Sequence, residues 1–276
     1  MTDRYAVVGN PVAHSRSPDI HAEFARQTAQ DLAYERLLAP LDGFVATVEA
    51  FRVAGGRGLN VTVPFKLEAF DYASRRSARA QAAGAVNTLR FDPDGVYGDN
   101  TDGVGMVRDI EQRLAFSLTG ARVLLLGAGG AARGVLRPLL EAGAAALIIA
   151  NRTEAKADAL VEIAADARAS ACGFDALARL CAQPFDLVVN ATSTGLSDEA
   201  PQVPEATYTG VRLAYDMMYG ARPTAFMRQA ASRGCARTSD GLGMLVEQAA
   251  ESFLLWRGVR PQTDAVYRRL RESLSA

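Results

Sequence analysis

A turn made only of small residues separates two apolar stretches near the middle of the chain. The apolar run Val123–Leu126 leads into this turn, and a helix-like pattern of apolar residues follows as far as Leu140. Glycines permit a tight turn and a close approach of the backbone, and the free amides at a helix start attract an anion. This order of strand, turn and helix predicts a site for the pyrophosphate of a dinucleotide. The residues of the turn are Gly127, Ala128, Gly129, Gly130 and Ala131.

Basic residues follow the next apolar stretch. The run Ala146–Ala150 is followed by Asn151, Arg152 and Thr153, and Lys156 comes shortly after. Units that bind NAD usually place a carboxylate here, where it binds the ribose 2′-hydroxyl. A carboxylate would repel a 2′-phosphate, whereas an arginine pairs with it through two hydrogen bonds and a lysine adds a second charge. The sequence therefore favours NADP(H), although an exposed arginine at the start of a helix would produce the same pattern.

Polar residues in the first part of the chain could line a second site. Asn60 and Thr62 alternate with apolar residues, and Lys66 follows soon after Pro64. Alternation places both polar side chains on one face of a strand, which fits the wall of a site and equally a strand at the surface. Asp102 lies in a polar cluster that opens a predicted helix, where an aspartate is commonly a helix cap.

Two serines near the N-terminus allow two interpretations. Ser15 and Ser17 stand two residues apart, directly before Pro18. Their hydroxyls could hold a hydroxyl-rich or carboxylate ligand. A serine followed by proline also suits the cap and first position of a helix, and on the residues alone the cap is the favoured interpretation.

The elements that must position these residues alternate between strands and helices. From Ala121 onward, short apolar runs separated by helical patterns predict a parallel sheet with helices on both faces. The preceding part of the chain shows its own strands and helices, and it predicts a further α/β unit with a separate sheet. We therefore expect an α/β protein with two domains, one of which is a doubly wound parallel sheet of the Rossmann type.

Composition excludes several classes of protein. The chain has 276 residues, of which 49% are hydrophobic and 22% charged, and its formal net charge is −1. This balance gives no electrostatic reason to bind nucleic acid. No apolar run approaches the ~20 residues that span a bilayer, and the N-terminus lacks the pattern of a signal peptide. The three cysteines match no zinc-binding spacing, so we expect no metal site and reduced thiols in the cytoplasm.

Nine short segments, spread over nearly the whole chain, resemble motifs of the shikimate/quinate dehydrogenase family and occur in the same order. They are GNPVAHSRSP, NVTVPFK, AGAVNTL, DNTDGVG, LLGAGGAARG, NRT, NATS, YDMMY and DGLGMLVEQA. The resemblance implies an oxidoreductase that reversibly reduces 3-dehydroshikimate to shikimate with NADPH, on the route through chorismate to the aromatic amino acids. It also implies a small-molecule substrate, no nucleic acid or membrane partner, and a monomer or homodimer.

The resemblance further implies how the chain is divided and which residues act. Residues 1–104 and 241–276 would form a discontinuous α/β domain for substrate binding and catalysis, and residues 105–240 the NADP-binding Rossmann domain. Lys66 and Asp102 would be the catalytic pair. The substrate would be bound by Ser15, Ser17, Asn60, Thr62, Lys66, Asn87, Asp102, Tyr219 and Gln248. The cofactor would be bound by Gly127, Ala128, Gly129, Gly130, Ala131, Asn151, Arg152, Thr153, Lys156, Thr192, Met217, Gly241 and Met244.

The implied pair suits the chemistry of ketone reduction. Addition of hydride to a ketone develops negative charge on the oxygen, which must be stabilised and protonated. Lys66 would supply the positive charge and a proton, and Asp102 would orient Lys66 and accept a hydrogen bond from a substrate hydroxyl. The sequence leaves open whether Lys66 transfers the proton or mainly stabilises charge.

Three alternatives also stay open. His14, one of two histidines, is a second acid–base candidate. A related dehydrogenase acting on quinate or an amino-substituted ring would more often carry threonine in place of Ser17 and use NAD, so Ser17 and Arg152 argue against it. A non-catalytic nucleotide-binding regulator would be expected to lack Lys66 or Asp102, and both are present.

Overall fold

The structure is a computed structural model that describes residues 2–192 and 199–275. Its strands are β1 (Asp3–Gly9), β2 (Leu32–Leu38), β3 (Gly56–Val61), β4 (Arg75–Arg76), β5 (Thr88–Asp92), β6 (Gly95–Asp99), β7 (Arg122–Leu126), β8 (Ala146–Asn151), β9 (Ala169–Gly173), β10 (Leu187–Asn190), β11 (Leu213–Asp216) and β12 (Thr238–Ser239). Its α-helices are α1 (Ser17–Thr28), α2 (Phe44–Val53), α3 (Lys66–Tyr72), α4 (Ala78–Ala83), α5 (Asp102–Arg108), α6 (Gly130–Glu141), α7 (Glu154–Ala164), α8 (Leu177–Leu180), α9 (Ala225–Ser232), α10 (Leu242–Arg257) and α11 (Asp264–Ser275).

These elements form two compact units. The first unit runs as far as Gly105 and continues over Val246–Arg268, and the second comprises Met106–Leu245 and the chain from Arg269 onward. Each unit contains one sheet of six strands. The expected α/β class with two sheets is confirmed.

The sheet of the first unit is mixed. Its strand order is β2-β1-β3-β5-β6-β4, with β1 parallel to both β2 and β3 and with β5 and β6 forming an antiparallel hairpin beside β3. Because β1 and β3 run parallel, both end at the same edge of the sheet. The loop after β1 carries Ser15 and leads to Ser17, and Thr62 follows β3 directly, so three predicted site residues lie beyond this edge.

Helix α10 is fixed to the first sheet by an aromatic side chain at its C-terminal end. The Trp256 ring stacks on Tyr5 with 4.7 Å between centroids, and its Nε1 donates to the carbonyl oxygen of Leu89 at 3.0 Å. A Cβ on Gly58 would lie 2.5 Å from that Nε1, so only glycine permits the close approach. This packing fixes the position of Gln248, which lies two turns earlier on the same helix.

The sheet of the second unit is fully parallel. Its order is β12-β11-β10-β7-β8-β9, which is the doubly wound arrangement of the Rossmann fold. Residues Val123–Leu126 of β7 are completely buried, as their apolar run predicts. The chain order reverses between β7 and β10, and ligands of such sheets bind at the carboxyl ends of the strands at this point. The glycine turn follows β7 there, so the fold places it where a dinucleotide binds.

The ranges of the two units differ from those expected at the C-terminal end. We expected residues 241–276 to belong with residues 1–104, but 241–245 and the chain from Arg269 onward belong to the second unit. Met244 is part of the second unit's core. In α11, Arg271 donates to the carbonyl oxygen of Gly220 at 3.1 Å and pairs with Asp240 at 2.5 Å.

A π-helical turn, Asp109–Arg113, follows α5. Asp109 is completely buried, and its carboxylate pairs with Arg113 Nε at 2.5 Å and accepts from the Tyr215 hydroxyl at 2.6 Å. The extra residue of a π-helical turn changes which side chains face the core. Here it directs Asp109 toward β11, where Tyr215 lies.

Within residues 2–192 and 199–275, no helix has the length and apolar character needed to cross a bilayer. In the same residues, no group of three or more His, Cys, Asp or Glu side chains is arranged to hold a metal ion. The three cysteines, Cys172, Cys181 and Cys235, are free thiols.

Candidate active site

Lys66 and Asp102 are in direct contact. Each is the first residue of a helix, Lys66 of α3 and Asp102 of α5, and the Lys66 Nζ lies 2.5 Å from Asp102 Oδ2. Their side chains are 33% and 19% exposed, so both remain open to a ligand. An ammonium and a carboxylate at this distance form a charge-assisted hydrogen bond, which orients the lysine. The structure thus brings together the two residues that the family resemblance implies for catalysis.

Asn87 fixes the second oxygen of Asp102. Its Nδ2 donates to Asp102 Oδ1 at 2.8 Å and lies 3.4 Å from Gln248 Oε1. Its own Oδ1 accepts from the backbone N–H of Thr101 at 2.9 Å, so the amide cannot turn over without breaking this bond. Lys66, Asn87, Asp102 and Gln248 therefore form one polar cluster, which we call the lysine–aspartate cluster.

The side chain that caps the start of α5 belongs to a neighbouring residue and not to Asp102. The backbone N–H of Asp102 donates to Asn100 Oδ1 at 3.1 Å, so Asn100 satisfies this amide at the start of α5. The Asp102 carboxylate is engaged instead by Lys66 and Asn87.

Asn60 lies in a buried network that supports the lysine–aspartate cluster. It is 6% exposed, and its Nδ2 donates to Ser252 Oγ at 2.9 Å and to Thr88 Oγ1 at 3.2 Å. Its Oδ1 accepts from the Tyr34 hydroxyl at 2.7 Å. The network continues from Thr88, whose hydroxyl donates to Asn87 Oδ1 at 2.9 Å. Most of the hydrogen-bonding capacity of Asn60 is thus used inside the protein.

Ser15 and Ser17 also contact each other, and neither serine occupies the N-cap position of α1. The N-cap position of α1 is occupied by Arg16, whose side chain makes no capping hydrogen bond, and α1 begins at Ser17. The Ser15 hydroxyl donates to Ser17 Oγ at 3.2 Å and accepts from the Ser17 backbone N–H at 3.3 Å. The interpretation of Ser17 as the cap is wrong, because the preceding residue takes that position.

The two histidines have opposite surroundings. His14 is exposed, and no hydrogen bond or ion pair joins it to any residue of the described ranges. His21 is completely buried and stacks on the Tyr34 ring with 4.3 Å between centroids. Burial lowers the pKa of His21 to about 3, because the charged imidazolium would lose its hydration, and burial raises the pKa of Tyr34 for the same reason. Both side chains are therefore neutral near pH 7.

The glycine turn after β7 has room for a bound anion. Gly127 has φ +103°, and a Cβ there would lie 3.0 Å from the backbone of Ala191, so glycine is required. Gly129 and Gly130 face open space, with no atom within 4 Å of an added Cβ. Gly129 is the N-cap of α6 and has no side chain to cap the helix amides. These features fit the pyrophosphate of a dinucleotide.

The residues after β8 are exposed. Asn151 Nδ2 donates to the carbonyl oxygen of Thr153 at 2.8 Å, which shapes the turn. Arg152, Thr153 and Lys156 are exposed, and neither basic side chain has a carboxylate partner within the part of the chain that the structure describes. Two uncompensated cations on one turn suit a phosphate group. Arg152 also lies two residues before the start of α7, where the alternative of an exposed arginine at a helix start places it.

The ends of β10 and β11 are joined by a pair of buried polar residues. Asn190 Nδ2 donates to Asp216 Oδ1 at 3.1 Å, and burial raises the pKa of the Asp216 carboxyl. Asn190 Oδ1 accepts from the Thr192 hydroxyl at 2.7 Å, and its carbonyl oxygen accepts from the Met217 N–H at 3.0 Å. This pair, which the sequence analysis missed, holds two predicted cofactor residues. Its signal in the sequence is that both residues end an apolar strand.

The remaining predicted residues, Tyr219, Gly241 and Met244, lie in the second unit. The Gly241 N–H donates to the carbonyl oxygen of Met218 at 2.9 Å, so the backbone of Gly241 is tied to the turn after β11. Met244 is 8% exposed and belongs to the core of the second unit. Tyr219 also lies in the second unit, whereas the other predicted substrate residues lie in the first.

Comparison with known proteins identifies the family. Three family models match the chain in order: the shikimate dehydrogenase substrate binding domain over residues 7–89, shikimate / quinate 5-dehydrogenase over 109–198, and the shikimate 5′-dehydrogenase C-terminal domain over 241–271. A curated shikimate dehydrogenase (NADP(+)) of Aromatoleum aromaticum is 62% identical over 276 residues, which cover 99% of this chain and 98% of the relative. The chain belongs to the shikimate dehydrogenase family.

Solved structures agree with membership of the shikimate dehydrogenase family. An Ael1 enzyme from Pseudomonas putida is 49% identical and superposes with a TM-score of 0.94, covering 98% of each chain. Shikimate 5-dehydrogenase from Thermus thermophilus, solved in complex with NADP(H) and shikimate, is 34% identical with a TM-score of 0.88, covering 99% of this chain and 100% of that one. The expectation drawn from the nine segments is therefore confirmed at the level of family and fold.

Proposed function

We propose that this chain catalyses the reversible reduction of 3-dehydroshikimate to shikimate by NADPH, with Lys66 and Asp102 as its catalytic residues. The activity and the cofactor follow from the family, because relatives that are 54–62% identical over nearly the whole chain carry the name shikimate dehydrogenase (NADP(+)). The residue assignment is supported by one observation above all, the 2.5 Å contact between Lys66 Nζ and Asp102 Oδ2. We assign NADP binding to the second unit and substrate binding to the first, with Tyr219 of the second unit as the exception.

In this assignment, Lys66 acts on the reacting oxygen. When bound, NADPH supplies the hydride that the carbonyl carbon of the substrate receives. Lys66 places its ammonium beside the oxygen on which negative charge develops and then donates a proton to it. In the reverse direction, Lys66 accepts the proton from the hydroxyl of shikimate. The charge of Lys66 stabilises the transition state more than the bound substrate, because the oxygen carries more negative charge in the transition state.

Asp102 has two tasks in the proposed mechanism. Through Oδ2 it holds the Lys66 ammonium in one direction, and through Oδ1 it is itself held by Asn87. A carboxylate has about four sites for accepting hydrogen bonds, so Asp102 also has capacity for a substrate hydroxyl. It therefore contributes to binding as well as to catalysis.

The substrate ligands come from the loops and helices around this cluster. We propose that Ser15 and Ser17 bind the substrate carboxylate and that Asn87 and Gln248 bind ring hydroxyls. Asn60 supports this set through its buried hydrogen bonds to Thr88 and Ser252, which limits its own part in binding. Thr62 and Tyr219 are assigned to the substrate on the family resemblance.

The cofactor ligands are assigned by chemistry. The glycine turn binds the pyrophosphate through backbone amides, and Arg152 and Lys156 bind the 2′-phosphate of the adenosine ribose. Asn151 and Thr153 shape the turn that presents them. Thr192 and Met217, held by Asn190, are assigned to the nicotinamide together with Gly241 and Met244.

We further propose that the protein works in the cytoplasm as a monomer or homodimer. The three free thiols fit a reducing compartment. Cell fractionation locates the protein, and light scattering at several concentrations gives its mass in solution.

A spectrophotometric assay of the reduced nicotinamide tests the activity directly. Purified protein is given shikimate or quinate together with NADP or NAD, and formation of the reduced cofactor is followed. We expect efficient turnover of shikimate with NADP and much weaker turnover with NAD. Equal kcat/KM values for shikimate and quinate would require a broader substrate class. Binding of NADP without any turnover would make the chain a nucleotide-binding regulator.

A further inference from the structure

Arg36, in the edge strand β2, contacts the loop that carries the serine pair. Its Nε and Nη2 both donate to the carbonyl oxygen of Ser15, at 3.0 and 2.7 Å. The Ser15 N–H is satisfied by the carbonyl oxygen of Val12 at 3.0 Å, so the backbone of Ser15 is held on both sides. The Ser15 hydroxyl in turn bonds Ser17 Oγ. Arg36 therefore helps to hold the backbone from which the Ser15 hydroxyl reaches Ser17.

The charge of Arg36 is not compensated within the part of the chain that the structure describes. Its two hydrogen bonds go to a neutral carbonyl group, and no carboxylate lies within ion-pair distance. The neighbouring carboxylate of Glu35 is paired with Arg4 at 2.7 Å. Arg16, between the two serines, is paired with Asp19 at 3.3 Å. Of these arginines, Arg36 alone presents a full positive charge at the serine pair.

A carboxylate held only by serine hydroxyls has partners but no opposite charge. Hydrogen bonds that involve a charged donor are roughly twice as strong as neutral ones, so a nearby guanidinium makes an anionic ligand distinctly more favourable. The Nη1 group of Arg36 makes no hydrogen bond to any described residue. Arg36 thus combines a structural contact to Ser15 with an available charge.

We propose that Arg36 is a positioning residue for the substrate carboxylate. It holds Ser15 so that the serine hydroxyls face the ligand, and it supplies the positive charge that selects a carboxylate over an uncharged group. This inference rests on the proposed assignment of Ser15 and Ser17 to the substrate carboxylate. Because Arg36 belongs to this binding group and not to the lysine–aspartate cluster, its effect falls on KM and leaves kcat nearly unchanged.

The test compares shikimate with shikimate methyl ester, which has the same ring but no charge at the carboxyl group. The kcat/KM ratio of acid to ester is measured for the wild type, Arg36→Gln and Arg36→Lys. Arg36→Gln should lower this ratio roughly tenfold, because the charge acts on the acid alone. Arg36→Lys should retain most of the ratio but raise KM for both substrates, because lysine cannot donate two fixed hydrogen bonds to Ser15.

The matched control is Arg57→Gln, which removes a positive charge from the same sheet without touching Ser15; its partner Asp3 remains paired with Arg257. It should leave the ratio unchanged. Equal losses of kcat/KM for acid and ester in Arg36→Gln, or no loss for either, would overturn the role of Arg36.

If Arg36→Gln does not fold, the wild type provides a second test. Added salt should lower its acid-to-ester ratio by screening the guanidinium. A ratio that does not change with salt would also overturn the role of Arg36. A wild-type protein that fails to oxidise shikimate would refute the proposed function instead.

Discussion

The charged residues assigned to catalysis and those assigned to cofactor binding are presented in opposite ways. In the first unit, Lys66 and Asp102 already contact each other at 2.5 Å, and Asn87 holds the carboxylate from its other oxygen. In the second unit, Arg152 and Lys156 are exposed and have no carboxylate partner in the described ranges. Groups that must act on a reacting atom gain from being fixed in advance, because their geometry then costs nothing at the transition state. Groups that only bind a phosphate can remain mobile and become ordered with it.

Whether a charged residue has a partner in the protein also determines how many other residues its substitution should affect. Loss of a residue from the lysine–aspartate cluster disturbs its neighbours, so the effects of several substitutions should be coupled. Loss of Arg152 or Lys156 leaves no protein partner unsatisfied, so the effect should be confined to the affinity for the cofactor.

The largest effect is expected for Lys66→Ala. Removal of the ammonium should lower kcat by about a thousandfold, because charge stabilisation and proton transfer are both lost. The KM for shikimate should change little, because the ammonium acts mainly at the transition state. Steady-state kinetics at saturating NADP provide the measurement. Lys156→Ala is the matched control, a lysine lost from the second unit, and it should leave kcat unchanged under the same conditions.

Arg152→Gln should produce the next largest effect. The kcat/KM for NADP should fall about a hundredfold, because charge-assisted hydrogen bonds to the 2′-phosphate are lost, while the value for NAD should stay the same. The surface variant Arg137→Gln removes an exposed cation that is paired with Glu141, and it should change neither value. Equal losses with NADP and NAD would mean that Arg152 does not recognise the 2′-phosphate.

Gly105→Ala tests whether the first unit depends on fixed geometry. A Cβ at this position would lie 2.7 Å from the backbone nitrogen of Gln248 and 2.9 Å from its Cα, so helix α10 must shift. We expect a loss of about 1–3 kcal/mol in the free energy of unfolding. The KM for shikimate should rise severalfold, and the KM for NADP should not change. Gly173→Ala, whose Cβ would meet only Glu154 Oε2 at 3.5 Å, is the control in the second unit. A KM for shikimate that does not respond would show that Gln248 tolerates displacement.

The smallest effect is expected from His21, and it is an effect on stability. Neutral His21 makes the stability of the first unit sensitive to acid. Its pKa is held at about 3 in the folded protein, far below the ordinary value of 6.5. Since the unfolded chain binds the proton first, the contribution of neutral His21 is complete above the ordinary pKa and is lost as the pH falls toward the folded one. The loss should be about 1.4 kcal/mol between roughly pH 5.5 and 4.5. Urea unfolding of the wild type and His21→Phe at these pH values measures it, and parallel pH profiles would contradict it.

The features that could be predicted from the sequence are those formed by residues that are neighbours along the chain. The glycine turn and the basic turn after β8 each occupy a few neighbouring positions, and the buried run Val123–Leu126 specifies a central strand by itself. The family resemblance then supplied the Lys66–Asp102 pair. Its side-chain geometry was beyond prediction, because a contact between residues 36 positions apart depends on the whole sheet.

Features that depend on long-range packing could not be predicted. The contact of Asn60 with Ser252 joins residues 192 positions apart. The π-helical turn Asp109–Arg113 has the same apolar pattern as an ordinary helix, and its Asp109 contacts Tyr215, which lies 106 positions away. The contact of Arg36 with Ser15 also involves a backbone carbonyl, which leaves no trace in the residue types.

The most direct test of the central claim, that Lys66 and Asp102 act as one unit, is a double-mutant cycle on kcat. Lys66→Ala, Asp102→Ala and the double variant are compared with the wild type under saturating shikimate and NADP. Residues that work only together show strongly non-additive losses. We predict that the double variant is scarcely slower than the slower single variant. If the two losses multiply, so that the double variant falls by the product of the single effects, Lys66 and Asp102 act independently and the account is contradicted.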